Sequence, residues 1–273
     1  MTKITILPAR GLGDGLLFHI LSHNLAKQGH TVTTVHPTLA GLGPWLTQSF
    51  SDLNSFDILL LQHDNSLRSF ALSQLPNVFC FYGAHVLDKH GPLKSGDFVC
   101  DRSRTMVENI ESALQQWFGI TSRDPGLTPP PGLLFRRHPR RIVLHNGSGD
   151  PAKNWPREKF IRLFDRLRKN GYDPVFLPQF PTLADLASFL YESGVLIGND
   201  SGPGHLASAL GLPTLIIGPS AAHMKLWRPG WGPSHVVTPL PWKCLEKRWK
   251  TFVTVKSVGT AFYNNIATNI NLY

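Results

Sequence analysis

The sequence predicts an α/β protein of two parallel-sheet domains, and three observations carry that expectation. Short apolar runs alternate with segments of helical spacing, the pattern of strand–helix–strand units with right-handed crossovers. Glycine-rich turns follow two of the apolar runs directly, at Arg10-Gly-Leu-Gly-Asp14 and Asn146-Gly-Ser-Gly149. A proline-rich and basic stretch, from Pro129-Pro-Pro131 to Arg136-Arg-His-Pro-Arg-Arg141, interrupts the alternation near the middle. The expected domains are residues 1–127 and 141–254, with a solvated linker at 128–140 and a tail at 255–273.

In the first domain, strands are expected at Lys3 to Pro8, Thr31 to Val35, Phe56 to Leu61 and Val78 to Phe81. Helices are expected near Leu16 to Lys27 and Arg104 to Phe118. The second domain opens with a strand at Arg141 to His145. An amphipathic helix follows, with Phe160, Leu163, Phe164 and Leu167 on one face, Pro156 in its first turn and Gly171 at its stop. Beyond Asp173 to Pro178, Thr182 and Asp185 form a capping pair for a helix ending near Leu190. Val195 to Gly198 reads as a buried strand, His205 to Leu210 as a small-residue helix, and Thr214 to Gly218 as the next strand. The alternation makes each domain Rossmann-like.

The most informative segment is Gly198-Asn-Asp-Ser-Gly-Pro-Gly-His-Leu-Ala-Ser-Ala-Leu-Gly-Leu-Pro213. It is a strand, a tight turn and a helix whose first backbone N–H groups face the strand's carboxyl end. Such a helix start carries partial positive charge and receives phosphate. Gly202 and Gly204 leave room for a ligand against the backbone, while Asp200, Ser201 and His205 supply polar groups. An ordinary strand-to-helix turn with Asp200 or Ser201 as cap is the structural alternative. For His205, contact with phosphate and bracing of the loop both remain open. Upstream, Ser148 in the Asn146–Gly149 turn and Lys153 in Lys153-Asn-Trp-Pro156 lie at a neighbouring strand end. Turns at neighbouring carboxyl ends converge on one crevice, so Lys153 is expected to neutralise the anion that the helix start receives.

Lys-x-Trp-Pro before an amphipathic helix, followed by Asp-Ser-Gly-x-x-His-Leu-Ala-x-Ala-Leu-Gly-x-Pro, resembles glycosyltransferase family 9. These are the bacterial lipopolysaccharide heptosyltransferases and their relatives. Ile4-Thr-Ile-Leu-Pro-Ala-Arg-Gly-Leu-Gly-Asp14 resembles the family's first strand and its Gly-Asp loop. The resemblance implies the GT-B arrangement, two Rossmann-like domains facing across a cleft, with the tail returning as a helix to the first. It also implies that Asp14 is the base for the acceptor hydroxyl in an inverting transfer, with Arg10, Gly11 and Gly13 in the acceptor-side loop. Without the resemblance, Asp14 reads first as the cap of the helix from Leu16. Lys153 and the helix start would stabilise the departing nucleotide diphosphate, Ser148 and Ser201 would add hydroxyl donors, and Asp200 would hold the donor sugar. The chain departs from the family by its shortness: after Pro178 it lacks a further glycine turn with a glutamate, a helix and a strand.

Composition bounds the rest. The chain has 273 residues, 42% of them hydrophobic, enough for a substantial core. No apolar run approaches the ~18 residues of a membrane span, and the amino terminus reads as a strand, not a signal peptide. Three scattered cysteines, Cys80, Cys100 and Cys244, argue against a disulfide framework or zinc site and fit a reducing cytoplasm. The formal net charge of +9 suits an anionic glycan or glycolipid acceptor, a nucleotide diphosphate or the inner-membrane surface. Nucleic acid is not expected as a partner, since charge alone supports it. His19 and His23 lie four apart on a helix without the glutamate of a His-Glu-x-x-His site and read as its polar edge. There is no Asp-x-Asp, no dinucleotide fingerprint and no Walker loop, so neither a metal nor a cofactor is expected beyond a nucleotide-sugar co-substrate, ADP-linked by the resemblance. The expected function is metal-independent glycosyl transfer, most plausibly of heptose from ADP-heptose onto a lipopolysaccharide core or other surface glycan. A transferase with another nucleotide-sugar donor and a non-catalytic binding protein of the same fold are the alternatives.

Overall fold

A computed structural model describes residues 2–46, 56–151, 154–239 and 249–267. The chain divides into two compact units, Met1–Thr128 and Pro129–Tyr273. In the first unit the elements run β1 (Lys3–Leu7), α1 (Leu12–Lys27), β2 (Thr31–Thr34), α2 (Pro37–Ala40), β3 (Ile58–Gln62), α3 (Leu67–Ser73), β4 (Val78–Tyr82), α4 (Leu87–His90), β5 (Phe98–Val99) and α5 (Met106–Phe118). Its sheet is parallel throughout, in the order β2-β1-β3-β4-β5. The side chains of Ile4, Ile6, Leu59, Leu60 and Phe81 are buried, as expected of strands covered on both faces. At the start of α5, Thr105 and Glu108 form a reciprocal capping box, worth about 1 kcal/mol.

The second unit runs β6 (His138–His145), α6 (Arg157–Lys169), β7 (Asp173–Phe176), α7 (Leu183–Tyr191), β8 (Ser193–Asn199), α8 (Gly202–Ala209), β9 (Thr214–Ile217), α9 (Ala221–Trp227), β10 (Ser234–Val237), α10 (Trp249–Phe252) and α11 (Val255–Phe262). Its parallel sheet has the order β10-β9-β8-β6-β7. Counted from each unit's own first strand, the two sheets have the same order. In both, the direction of winding reverses between the first strand and the third, which puts the ligand-binding crevice of an open α/β sheet at those strands' carboxyl ends.

One expectation is corrected here. The basic segment Arg136 to Arg141 is not a solvated linker along its whole length. The Arg136 and His138 N–H groups donate to the Tyr191 and Glu192 carbonyls, and β6 already begins at His138. The approach is so close that a Cβ on Gly194 would lie 1.8 Å from the Pro139 carbonyl oxygen, so only glycine fits there. In the tail, Val255, Val258, Phe262 and Ile266 recur at helical spacing, and the last three are fully buried with Ile142, Phe160 and Leu215. This stripe covers the second unit's own core. Sequence reading also passes over α2, α3, α4, α9, β5 and β10, all short. No helix among the described residues is long and apolar enough to cross a membrane.

Candidate functional site

In the first unit, β1 and β3 end side by side, with Leu7 paired to Leu61. From there the chain turns through Pro8 to Gly11 into α1. Sequence placed the helix start near Leu16; it starts at Leu12, with extended Gly11 as N-cap and no side-chain cap bond. Asp14 is therefore no cap. It is a half-buried residue of the first helical turn, where the helix dipole favours a negative charge.

Two side chains from other elements fix this loop. The His36 Nδ1 accepts the Leu39 N–H at 2.9 Å, so its proton sits on Nε2, which lies 3.0 Å from the Ala9 carbonyl oxygen and 3.2 Å from that of Gly11. On the other side, the Ala9 N–H donates to Gln62 Oε1 at 2.9 Å, and Gln62 Nε2 donates to Asp14 Oδ1 at 2.5 Å. The glycines follow from these contacts. A Cβ on Gly15 would lie 2.8 Å from the His36 ring, and one on Gly11 would lie 2.6 Å from Asp14 Oδ2. Gly13 sits in the same first turn, and Arg10 is exposed.

Beside this turn is a groove of about 520 Å³, lined by Leu7, Pro8, Arg10, Leu61, Gln62, Asp64, Ser66, Leu67, Arg68 and Ser69. Its lining combines the apolar Leu7, Pro8, Leu61 and Leu67 with two exposed arginines, Arg10 and Arg68, and one carboxylate, Asp64. Burial raises the Asp64 carboxyl, but hydrogen bonds from Ser66 and Ser69 outweigh it and hold Asp64 below the usual carboxylate range. The groove suits a ligand with an apolar or sugar face and an anionic group.

In the second unit the corresponding ends are those of β6 and β8, with His145 paired to Gly198. One buried side chain ties the two following loops. Asn199 accepts the Trp155 N–H on Oδ1 at 2.8 Å, and the Trp155 indole N–H donates to the Val253 carbonyl at 2.9 Å. Trp155 is thus pinned to the end of β8. Helix α8 begins at Gly202, earlier than the expected His205, because Pro203 suits a first turn. Its N-cap, Ser201, makes no side-chain cap bond; the hydroxyl donates to the Asn199 carbonyl at 3.1 Å. Ser148 is engaged likewise, its hydroxyl lying 2.6 Å from Asn154 Oδ1 and 2.8 Å from the Asp150 carbonyl oxygen. Both serines therefore shape their loops in this structure, where sequence expected phosphate donors.

The Asp200 carboxylate meets His223 of α9, with Oδ2 2.8 Å from Nε2. His205 is only 5% exposed, which favours bracing over ligand contact. Gly204 carries α8 close over β9, where a Cβ would come within 3.0 Å of Ile216. Burial pushes the His145 imidazole down to about 4, so it is neutral at physiological pH. Lys153, together with Cys244 and most of the Lys243–Lys250 cluster, lies outside the described residues.

The structure thus groups Arg10, Gly11, Gly13 and Asp14 at one switch point, and Ser148, Asp200, Ser201, Gly202, Gly204 and His205 at the loops of the other. Sequence missed His36, Gln62, Asn199 and His223, each of which acts across a distant stretch of chain. His19 and His23 are no polar edge either. His19 is fully buried with Nδ1 2.8 Å from the Pro125 carbonyl oxygen, and His23 pairs with Asp124. Among the described residues, no three His, Cys, Asp or Glu side chains group so as to hold a metal ion.

No protein-family model and no curated protein matches the sequence. Solved structures do match over nearly the whole chain. The ADP-heptose lipopolysaccharide heptosyltransferase II of E. coli is similar at a TM-score of 0.71 and 14% identity, over 98% of this chain and 99% of that one. The family 9 glycosyl transferase of Veillonella parvula is similar at 0.67 and 17%, over 98% and 97%. The E. coli heptosyltransferase WaaC with ADP-2-deoxy-2-fluoro heptose is similar at 0.69 and 14%, over 96% and 99%. At these identities the likeness is one of fold: the chain has the two-sheet α/β fold of the GT-B heptosyltransferases.

Proposed function

We propose that this chain is an inverting glycosyltransferase of the heptosyltransferase type, moving a sugar from a nucleotide diphosphate donor to an anionic glycan or glycolipid acceptor. The observation that carries the proposal is the Asp14 carboxylate, held by Gln62 at the switch point beside an arginine-flanked groove. In this proposal Asp14 takes the proton of an acceptor hydroxyl. The hydroxyl oxygen bonds to the anomeric carbon of the donor from the face opposite its leaving group, and the bond from that carbon to the diphosphate breaks. The negative charge that develops on the diphosphate is received by the start of α8 and by Lys153. Asp200, oriented by His223, hydrogen-bonds the donor sugar.

ADP-heptose is the donor to test first, because the fold neighbours include an ADP-heptose heptosyltransferase and WaaC solved with ADP. The groove's apolar lining residues and its two arginines favour an acceptor sugar carrying phosphate or carboxylate. We place the reaction in the cytoplasm, at the inner-membrane surface where a glycolipid acceptor would be met. Metal independence is proposed from the lack of an Asp-x-Asp pair to bridge a metal to the diphosphate.

The test is a thermal-shift titration with ADP, UDP and GDP at equal concentration in the presence of EDTA. A ligand at 100 times its Kd stabilises its domain by about 2.7 kcal/mol, which reads as several degrees. A selective ADP shift is expected. A selective UDP or GDP shift would change the donor, and no shift with any of the three would defeat the proposal.

A further inference from the structure

We propose that Gln62 is the positioning residue for the Asp14 carboxylate, orienting it as proton acceptor in the transfer reaction. The inference rests on the base role proposed above for Asp14. The Gln62 amide has one allowed orientation. Its Oε1 takes the Ala9 N–H at 2.9 Å, which turns the NH₂ group to Asp14 Oδ1 at 2.5 Å. Flipped, it would set its N–H groups against an N–H and its oxygen against a carboxylate. The side chain is only 8% exposed, and Gln62 ends a strand paired on both sides, to β1 and to β4. Such a residue is held on a rigid element, as a group that must aim another needs to be.

One side chain thus joins the end of β3, the loop after β1 and the first turn of α1. Its bond to Asp14 has a charged acceptor, so it favours the ionised carboxylate that a base requires. Gln62→Glu isolates this donation. It keeps the length of the side chain and an acceptor for the Ala9 N–H, but it faces Asp14 with a second carboxylate.

The test uses the full chain without ligand, labelled with carboxyl-¹³C aspartate and titrated by NMR, with Asp14→Asn assigning the Asp14 resonance. Relative to wild type, the Asp14 midpoint is expected to rise by about one pH unit in Gln62→Leu and by about two in Gln62→Glu. In wild type, the Gln62 side-chain amide signals should follow the Asp14 titration. An Asp14 midpoint equal in all three proteins, with Gln62 amide signals that ignore it, overturns the inference. Should Gln62→Leu fail to fold, Gln62→Glu and the wild-type amide signals decide. Transfer from ADP-heptose retained in Asp14→Asn would defeat the base role itself. Transfer lost there, with an unmoved Asp14 titration in the Gln62 variants, would defeat this inference alone.

Discussion

The two switch points share a strand order and differ in what they hold. In the first unit, side chains from β3 and from the start of α2 converge on one carboxylate and the loop before it. In the second unit, whose helix start at Gly202 likewise has no side-chain cap, the held groups are the two loops, tied through Asn199 and Trp155. In the proposed reaction the first arrangement would aim a single proton-accepting group, which needs hydrogen-bond geometry at one atom. The second would leave backbone at a helix start for an extended anion, which needs charge spread along several oxygens. On that proposal one sheet order serves two tasks according to which side chains surround the strand ends.

The comparison breaks most visibly at Asp14. Asp14→Asn keeps the shape and removes the base, so kcat for transfer is expected to fall by about 10²–10⁴ while the ADP Kd is unchanged. A parallel loss of ADP affinity, measured by calorimetry, would merge the two sites into one and end the contrast. Gln62→Glu should lower kcat in the same direction with little change in the KM for donor.

Histidines give the next largest effect, on stability. Burial holds the His19 imidazole of the first unit down at about 4, below the usual 6.5 of a histidine. The folded chain thus keeps a neutral imidazole where the unfolded chain takes up a proton. Its contribution is full above about pH 6.5 and is lost as pH falls towards 4, by about 3 kcal/mol at most. His145 behaves likewise in the second unit, at the mouth of the candidate donor site. Melting curves between these pH values should fall for both units, and His19→Gln should flatten the fall for the first. If ADP phosphates come near His145, saturating ADP should flatten the second unit's fall and leave the first unit's intact.

Asn199 sharpens the contrast from the other side. Asn199→Ala leaves the buried Trp155 N–H without its acceptor, at a cost of about 1–3 kcal/mol. ADP affinity should drop while the Asp14 titration stays where it was. An unchanged ADP Kd in a folded Asn199→Ala protein would show that the pinned loop does not serve the donor. The smallest effect is expected from Gly15→Ala, whose Cβ meets the His36 ring. It should loosen the His36 contacts with the Ala9 and Gly11 carbonyls, costing about 1–2 kcal/mol in thermal stability, and leave ADP binding alone.

The residues legible in the sequence are those whose neighbours in space are neighbours in the chain. Asp14, Ser201, Gly202 and Gly204 stand in short strand–turn–helix segments whose chemistry is local. Gln62 meets Asp14 across 48 residues, Asn199 meets Trp155 across 44 and His223 meets Asp200 across 23, so no local pattern announces them. The longer elements were legible from periodicity, whereas α2, α3 and α9 depend on a cap, at His36, Ser66 and Ser220, that a polar stretch disguises. The apolar stripe of the tail says that α11 is covered but not by which sheet, and the described residues pack it on the second unit's core.

The account's central claim is tested most directly by ADP release from ADP-heptose in the presence of a phosphorylated or carboxylated core-sugar acceptor. The assay runs in EDTA and compares wild type with Asp14→Asn. The account predicts acceptor-dependent ADP release by wild type, at least 10²-fold slower release by Asp14→Asn, and equal ADP binding by both. Equal release by the two proteins, or no ADP binding by either, would contradict it.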